Sequence, residues 1–171
     1  MNCRPHSAVA AVAAVLLPLV LATGCAGTAP ASGTTPSVMV ATPQAKAEIA
    51  ALFERWNRSL ATGDPEAVLA NYAPDAILLP TLSDRVRHTP DELRDYFVHF
   101  LQAKPQGTIT ESNIRVFGDI AIDAGTYVFD TRKGKVPARY TFVYRKIGDQ
   151  WLIVEHHSSM MPETTMAKAK H

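Results

Sequence analysis

The chain has 171 residues, with 17 Lys and Arg against 16 Asp and Glu, a formal charge of +1 and 47% hydrophobic residues. That length suits one ordinary domain with some to spare, and the near-neutral balance excludes a broad basic field for gathering nucleic acid or anionic membrane. Two cysteines exclude a disulfide scaffold and a zinc site made of cysteine alone, and the hydrophobic fraction excludes a wholly disordered chain.

Residues 1–24 read as an export signal. Arg4 precedes an apolar stretch over 8–22 that only Pro18 interrupts. As a helix this stretch spans about 22 Å, short of the ~30 Å hydrocarbon core, and small residues follow it. The string Leu21-Ala22-Thr23-Gly24-Cys25 resembles a bacterial lipobox. That resemblance implies a lipid on Cys25, which becomes the first mature residue; plain secretion and a retained anchor remain as alternatives. Processing there removes Arg4 and Cys3, leaving 16 basic and 16 acidic residues and no net charge. Cys25 would be consumed as a thioether, so the domain keeps no thiol for catalysis or redox chemistry. Residues 25–43 are rich in Ala, Gly, Ser, Thr and Pro, carry no charge, and read as a flexible tether. The expected location is the bacterial cell envelope, lipid-anchored and extracytoplasmic. Residues 164–171 read as a disordered basic tail, which leaves 44–163 as the folded domain.

Within that domain, Ile49, Leu52, Phe53, Trp56 and Leu60 lie at helical spacing and predict a long helix over 45–60. Gly63 ends it, and Asp64-Pro65-Glu66 starts a short second helix. Residues 76–79 read as a short strand closed by Pro80. Thr89-Pro90-Asp91-Glu92 is a capping box, and Leu93, Tyr96, Phe97, Phe100 and Leu101 follow on one helical face. From residue 108 the period changes to 2. Four strand-like runs over 108–117, 120–130, 136–147 and 151–160 are separated by Gly118-Asp119, by residues 132–135 and by Gly148-Asp149. Gly125 inside a run predicts a bulge or a sharp bend. Helices followed by a strand meander give an α+β class with helices on one face of an antiparallel sheet.

This order of elements resembles the nuclear-transport-factor-2-like superfamily, and within it the association domain of calcium/calmodulin-dependent protein kinase II with its stand-alone bacterial relatives. The resemblance rests on Thr62-Gly63-Asp64, Leu78-Leu79-Pro80-Thr81, Tyr96-Phe97, the segment 138–144 (ARYTFVY) and the segment 151–159 (WLIVEHHSS), and it covers 46–162. It implies a curved, cone-shaped antiparallel sheet wrapped on the long N-terminal helix, with two further helices. It also implies self-association and a conical pocket, without kinase activity or calmodulin binding. The oxidoreductase label of some relatives (SgcJ/EcaC, DUF4440-like) finds no support in a chain lacking a dinucleotide fingerprint and a usable thiol. Arginines that attract acids in the kinase's pocket fall here on Tyr127, Phe142 and Ser158. The implied pocket is therefore aromatic and neutral, and a carboxylate would need Arg139 or a histidine. A one-residue bulge near Gly125 or Val136 would bring Arg139 inward.

The expected ligand-binding residues are Trp56, Tyr72, Tyr127, Arg139, Phe142, His156 and Ser158, with a small apolar or weakly acidic ligand. Alternation puts His156 and Ser158 on one face of the last strand and Glu155, His157 and Ser159 on the other. Candidate catalytic groups are His156, His157 and Asp123, serving an isomerase or cyclase of the ketosteroid-isomerase or SnoaL-like kind as the alternative to a binding and oligomerisation domain. Each of these residues also has a structural reading: histidines in an interface or core, Trp56 and the tyrosines as core, Arg139 in an ion pair with Glu155 or Asp123. A Ser158–His157–Asp123 triad lacks a nucleophile elbow. No metal and no cofactor are expected, because His156 and His157 point apart. Residues 83–88 are expected to form a solvated loop over the mouth of the cone, or a lid.

Overall fold

In the computed structural model the first helix, α1 (Pro43–Thr62), begins at Thr42, whose hydroxyl accepts from the Ala45 N–H at 3.1 Å. It ends at Gly63, which takes φ 72° and so closes the last turn as few other residues can. The structure describes residues 41–162 apart from Leu82; the expected export signal, Cys25, most of the tether and the tail lie outside the described residues. The helix takes in Pro43, which the sequence reading places in the tether. Its buried stripe is the one the spacing predicts, Ile49, Leu52, Phe53, Trp56 and Leu60. Asp64 caps α2 (Pro65–Leu69) by accepting from the Glu66 N–H at 2.9 Å. Thr89 caps α3 (Pro90–Phe100), and the Glu92 carboxylate reaches back to the His88 N–H at 2.8 Å.

Five strands follow the order β1-β5-β4-β3-β2: β1 (Tyr72–Leu79), β2 (Gln106–Phe117), β3 (Ile120–Thr131), β4 (Gly134–Ile147) and β5 (Gln150–Met160). The class is α+β, a sheet packed on a long helix with two further helices. One detail differs from the expectation: β1 extends from Tyr72 and lies parallel to β5, so the sheet is mixed and not antiparallel throughout. Tight hairpins impose antiparallel pairing on β2 to β5, with Gly118 and Gly148 at φ 64° and 60° in the turns. No hairpin joins β1 to β5, so nothing local dictates their relative direction.

Two extra residues set which side chains face the helices. In β2, Thr110 stands between the pairs Ile109↔Tyr127 and Glu111↔Thr126. The bulge expected at Gly125 is thus carried by the facing strand. Gly125 is where that strand presses closest, since a Cβ there would lie 1.9 Å from the Glu111 carbonyl oxygen. In β5, Val154 stands between Tyr144↔Ile153 and Val143↔Glu155. That single insertion turns Glu155 and His157 outward and buries His156 and Ser158. The β3–β4 pairing runs without a shift from Ile120↔Arg145 to Thr131↔Gly134, so nothing rotates Arg139 inward.

Candidate functional site

Between α1, α3 and the inner face of the sheet lies a cavity of about 500 Å³. Trp56 from α1, Tyr96, Phe97 and Phe100 from α3, and Tyr127 and Phe129 from β3 supply an aromatic wall. The sequence puts the α3 aromatics on one helical face, and their clustering is the available sign of a pocket. The exposed side chains of His99 and Lys133 border the same cavity and mark its rim. His156, Ser158 and Thr81 bring polar atoms to the wall.

Those polar atoms form two short chains. Trp56 Nε1–H donates to the Tyr72 hydroxyl at 3.1 Å, and the Tyr72 oxygen lies 2.9 Å from His156 Nδ1. Tyr127 donates to the Ser158 hydroxyl at 2.6 Å, and Ser158 is also bonded to Thr81. The His156 ring stacks on Phe142 at 4.1 Å between centroids and meets the Trp56 ring edge-on at 5.4 Å. Desolvation, with a smaller contribution from His157, pushes its pKa down to about 3, so the imidazole is neutral. Burial raises Tyr72 and Tyr127 well above the usual phenol range, so both keep their protons. His156 Nε2 is buried and has no hydrogen-bond partner among the described residues.

Of the residues expected to bind ligand, Trp56, Tyr127, His156 and Ser158 line the cavity. Tyr72 and Phe142 stand behind it, one holding His156 Nδ1 and the other its ring face. Arg139 is a correction: it is exposed on the outer face, bonded through Nε to Ser159 at 3.2 Å, because the uninterrupted β3–β4 register leaves it there. Its pairing with Glu155 or Asp123 does not form. The catalytic candidates separate as well. His157 is exposed on the outer face and borders a second cavity of about 380 Å³ beside residues 83–86. Asp123 is buried on β3 away from both cavity walls, where Ser112 donates to Oδ1 at 2.7 Å. Ser158 and His157 point to opposite faces, so no Ser158–His157–Asp123 triad exists. Among the described residues no cluster of three acidic, histidine or cysteine side chains could hold a metal. The 83–88 segment is not wholly solvated: the Arg87 side chain is 12% exposed, pairs with Asp95 at 3.0 Å, and its backbone bridges to Leu78.

Comparison with known proteins adds the following. The profile of the calcium/calmodulin dependent protein kinase II association domain matches residues 45–162. No curated protein gives a significant match. A crystal structure described as that association domain, from Xanthomonas campestris, is 49% identical, with a TM-score of 0.65 over 68% of this chain and 87% of that one. A cystatin-like protein of unknown function from Nostoc punctiforme is 24% identical, with a TM-score of 0.62 over 71% of this chain and 94% of its own. An NTF2-like protein of unknown function from Pseudomonas putida is 20% identical, with a TM-score of 0.61 over 69% and 87%. The last two are likenesses of fold alone.

Proposed function

The chain belongs to the calcium/calmodulin dependent protein kinase II association domain family, and from that membership we propose a self-associating domain that holds a small, mainly apolar ligand in its cavity. The observation that carries the ligand reading is the 500 Å³ aromatic cavity with one unpartnered, buried histidine nitrogen in its wall. Self-association is supported by the outer face of β3 to β5. There half-buried Ile122, Val128, Val143 and Leu152 alternate with Arg139, Arg145 and Glu155, a mixed apolar and charged surface on the middle of the sheet. The lipobox-like string supports a lipid on Cys25 and an extracytoplasmic domain tethered in the bacterial cell envelope. Binding is favoured over an isomerase or cyclase because, among the described residues, no carboxylate stands in the cavity wall to act as base, and burial makes the one buried histidine there a weak base.

Native mass spectrometry of the detergent-extracted protein tests all three parts. The expected spectrum shows a dimer or larger assembly, the mass of a lipid on Cys25 and a co-purified small molecule. A bare monomer at high concentration overturns the assembly reading, and a chain retaining residues 1–24 overturns the anchor.

A further inference from the structure

The hydrogen-bond chain behind the cavity decides which nitrogen of His156 carries the proton. Trp56 Nε1 is a donor only, so the Tyr72 oxygen must accept from it. Tyr72 then has one proton of its own to place, and the polar atom in reach is His156 Nδ1 at 2.9 Å. If Nδ1 accepts that proton, the neutral ring carries its own hydrogen on Nε2. The opposite tautomer would strand two buried groups, the Tyr72 O–H and a bare Nε2, where the first strands one. His156 lines the largely aromatic cavity, and its Nε2–H, closed off from the open space, has no acceptor among the described residues, so a ligand must shift the ring or a neighbouring side chain to reach it.

We propose that the cavity takes an uncharged, largely apolar molecule with a hydrogen-bond acceptor, a carbonyl above all, that docks on His156 Nε2–H, and that Tyr72 is the positioning residue that keeps the proton there. The inference rests on the ligand-binding reading and narrows it. A carboxylate is disfavoured at this depth because the neutral imidazole offers no countercharge, Arg139 is on the other face of the sheet, and the lysine of the wall, Lys133, is at the rim. A pure hydrocarbon would fit the aromatic surface and leave the N–H unpaired, so it forgoes that contact.

Three probes of one shape separate these cases: 2-acetylnaphthalene, 2-ethylnaphthalene and 2-naphthoate, titrated into the full chain by calorimetry. The ketone is expected to bind about tenfold more tightly than the hydrocarbon and the acid least well. His156→Phe is expected to bring the ratio of ketone to hydrocarbon affinity down to about one. Equal affinity of ketone and hydrocarbon in the unaltered chain overturns this inference and leaves ligand binding standing. Failure of all three probes to bind overturns both. Nitrogen-15 NMR of the histidines gives a readout that needs no variant to fold. His156 is expected as the Nε2–H tautomer, turning into a mixture in Tyr72→Phe; an Nδ1–H tautomer in the unaltered chain overturns the proposal.

Discussion

His156 on β5 and Asp123 on β3 stand on the same inner face of the sheet, at 4% and 0% exposure, yet the protein treats them differently. His156 borders open space, is held by a tyrosine on one nitrogen, and presents the other without a partner. Asp123 borders neither of the two cavities described above. Ser112 satisfies one oxygen, while the other oxygen and the nearby Tyr144 hydroxyl are buried without partners. Burial drives both toward neutrality, the histidine by losing a proton and the carboxyl by keeping one, since desolvation raises the Asp123 pKa. An unpaired polar atom on a side chain that lines open space can be reached by a ligand after a small side-chain shift. The same atom in packed surroundings is only a cost of folding.

The largest test of this contrast is Trp56→Ala. It removes a buried ring that both packs the core and starts the Tyr72–His156 chain, and it is expected to cost about 3–5 kcal/mol, read as a shift in the urea midpoint. A loss below about 1 kcal/mol would mean that the wall around His156 is slack. Acid comes next. His156 takes up a proton near 6.5 in the unfolded chain and only near 3 in the folded one. Between those values the native state binds fewer protons, so this stability is complete above pH 6.5 and falls as pH drops through the window. Lowering pH from 6.5 to 5 is expected to cost about 2 kcal/mol, at roughly 1.4 kcal/mol per pH unit. His156→Gln should flatten that slope in urea titrations, and a slope that persists would assign the acid sensitivity elsewhere.

Asp123 works in the opposite sense. Its raised pKa means that the native state binds more protons above the unfolded value, so stability falls as pH rises through the folded value. At neutral pH the carboxylate is a burden, and Asp123→Asn is expected to gain about 1 kcal/mol in thermal or urea unfolding. A loss of that size would show that the charge is needed where it stands. The smallest effect is expected on the outer face: Arg139→Ala should move unfolding by no more than about 0.5 kcal/mol and leave probe affinity unchanged. A tenfold fall in affinity would restore Arg139 to the pocket.

The helices were legible because their signals are local. Asp64 and Thr89 cap what they were expected to cap, and the α1 stripe is buried as its spacing requires. Arg139 and the direction of β1 were not, because period 2 says that neighbours alternate without saying which strand lies beside them. The choice between His156 and His157 depends on one extra residue at Val154, and a valine in an apolar run gives no sign that it is the odd one. Gly125 did mark an irregularity, although the residue that bulges, Thr110, lies on the facing strand two positions from Gly125's partner Ser112. The Tyr72–His156 bond joins residues 84 positions apart, and no spacing rule reaches that far.

That separation also bears on timing. β1 leaves the ribosome before any of β2 to β5, yet its neighbour in the sheet is β5, the last strand made. The hairpins can close as they emerge, over short loops, whereas β1 must wait for the far end of the chain. Pulsed hydrogen exchange during refolding is expected to protect the amides of β3 and β4 before those of β1. A chain stopped short of Gln150 would keep its helices and three strands and still have nothing for Tyr72 to hold. The cavity is therefore assembled only once β5 has been made.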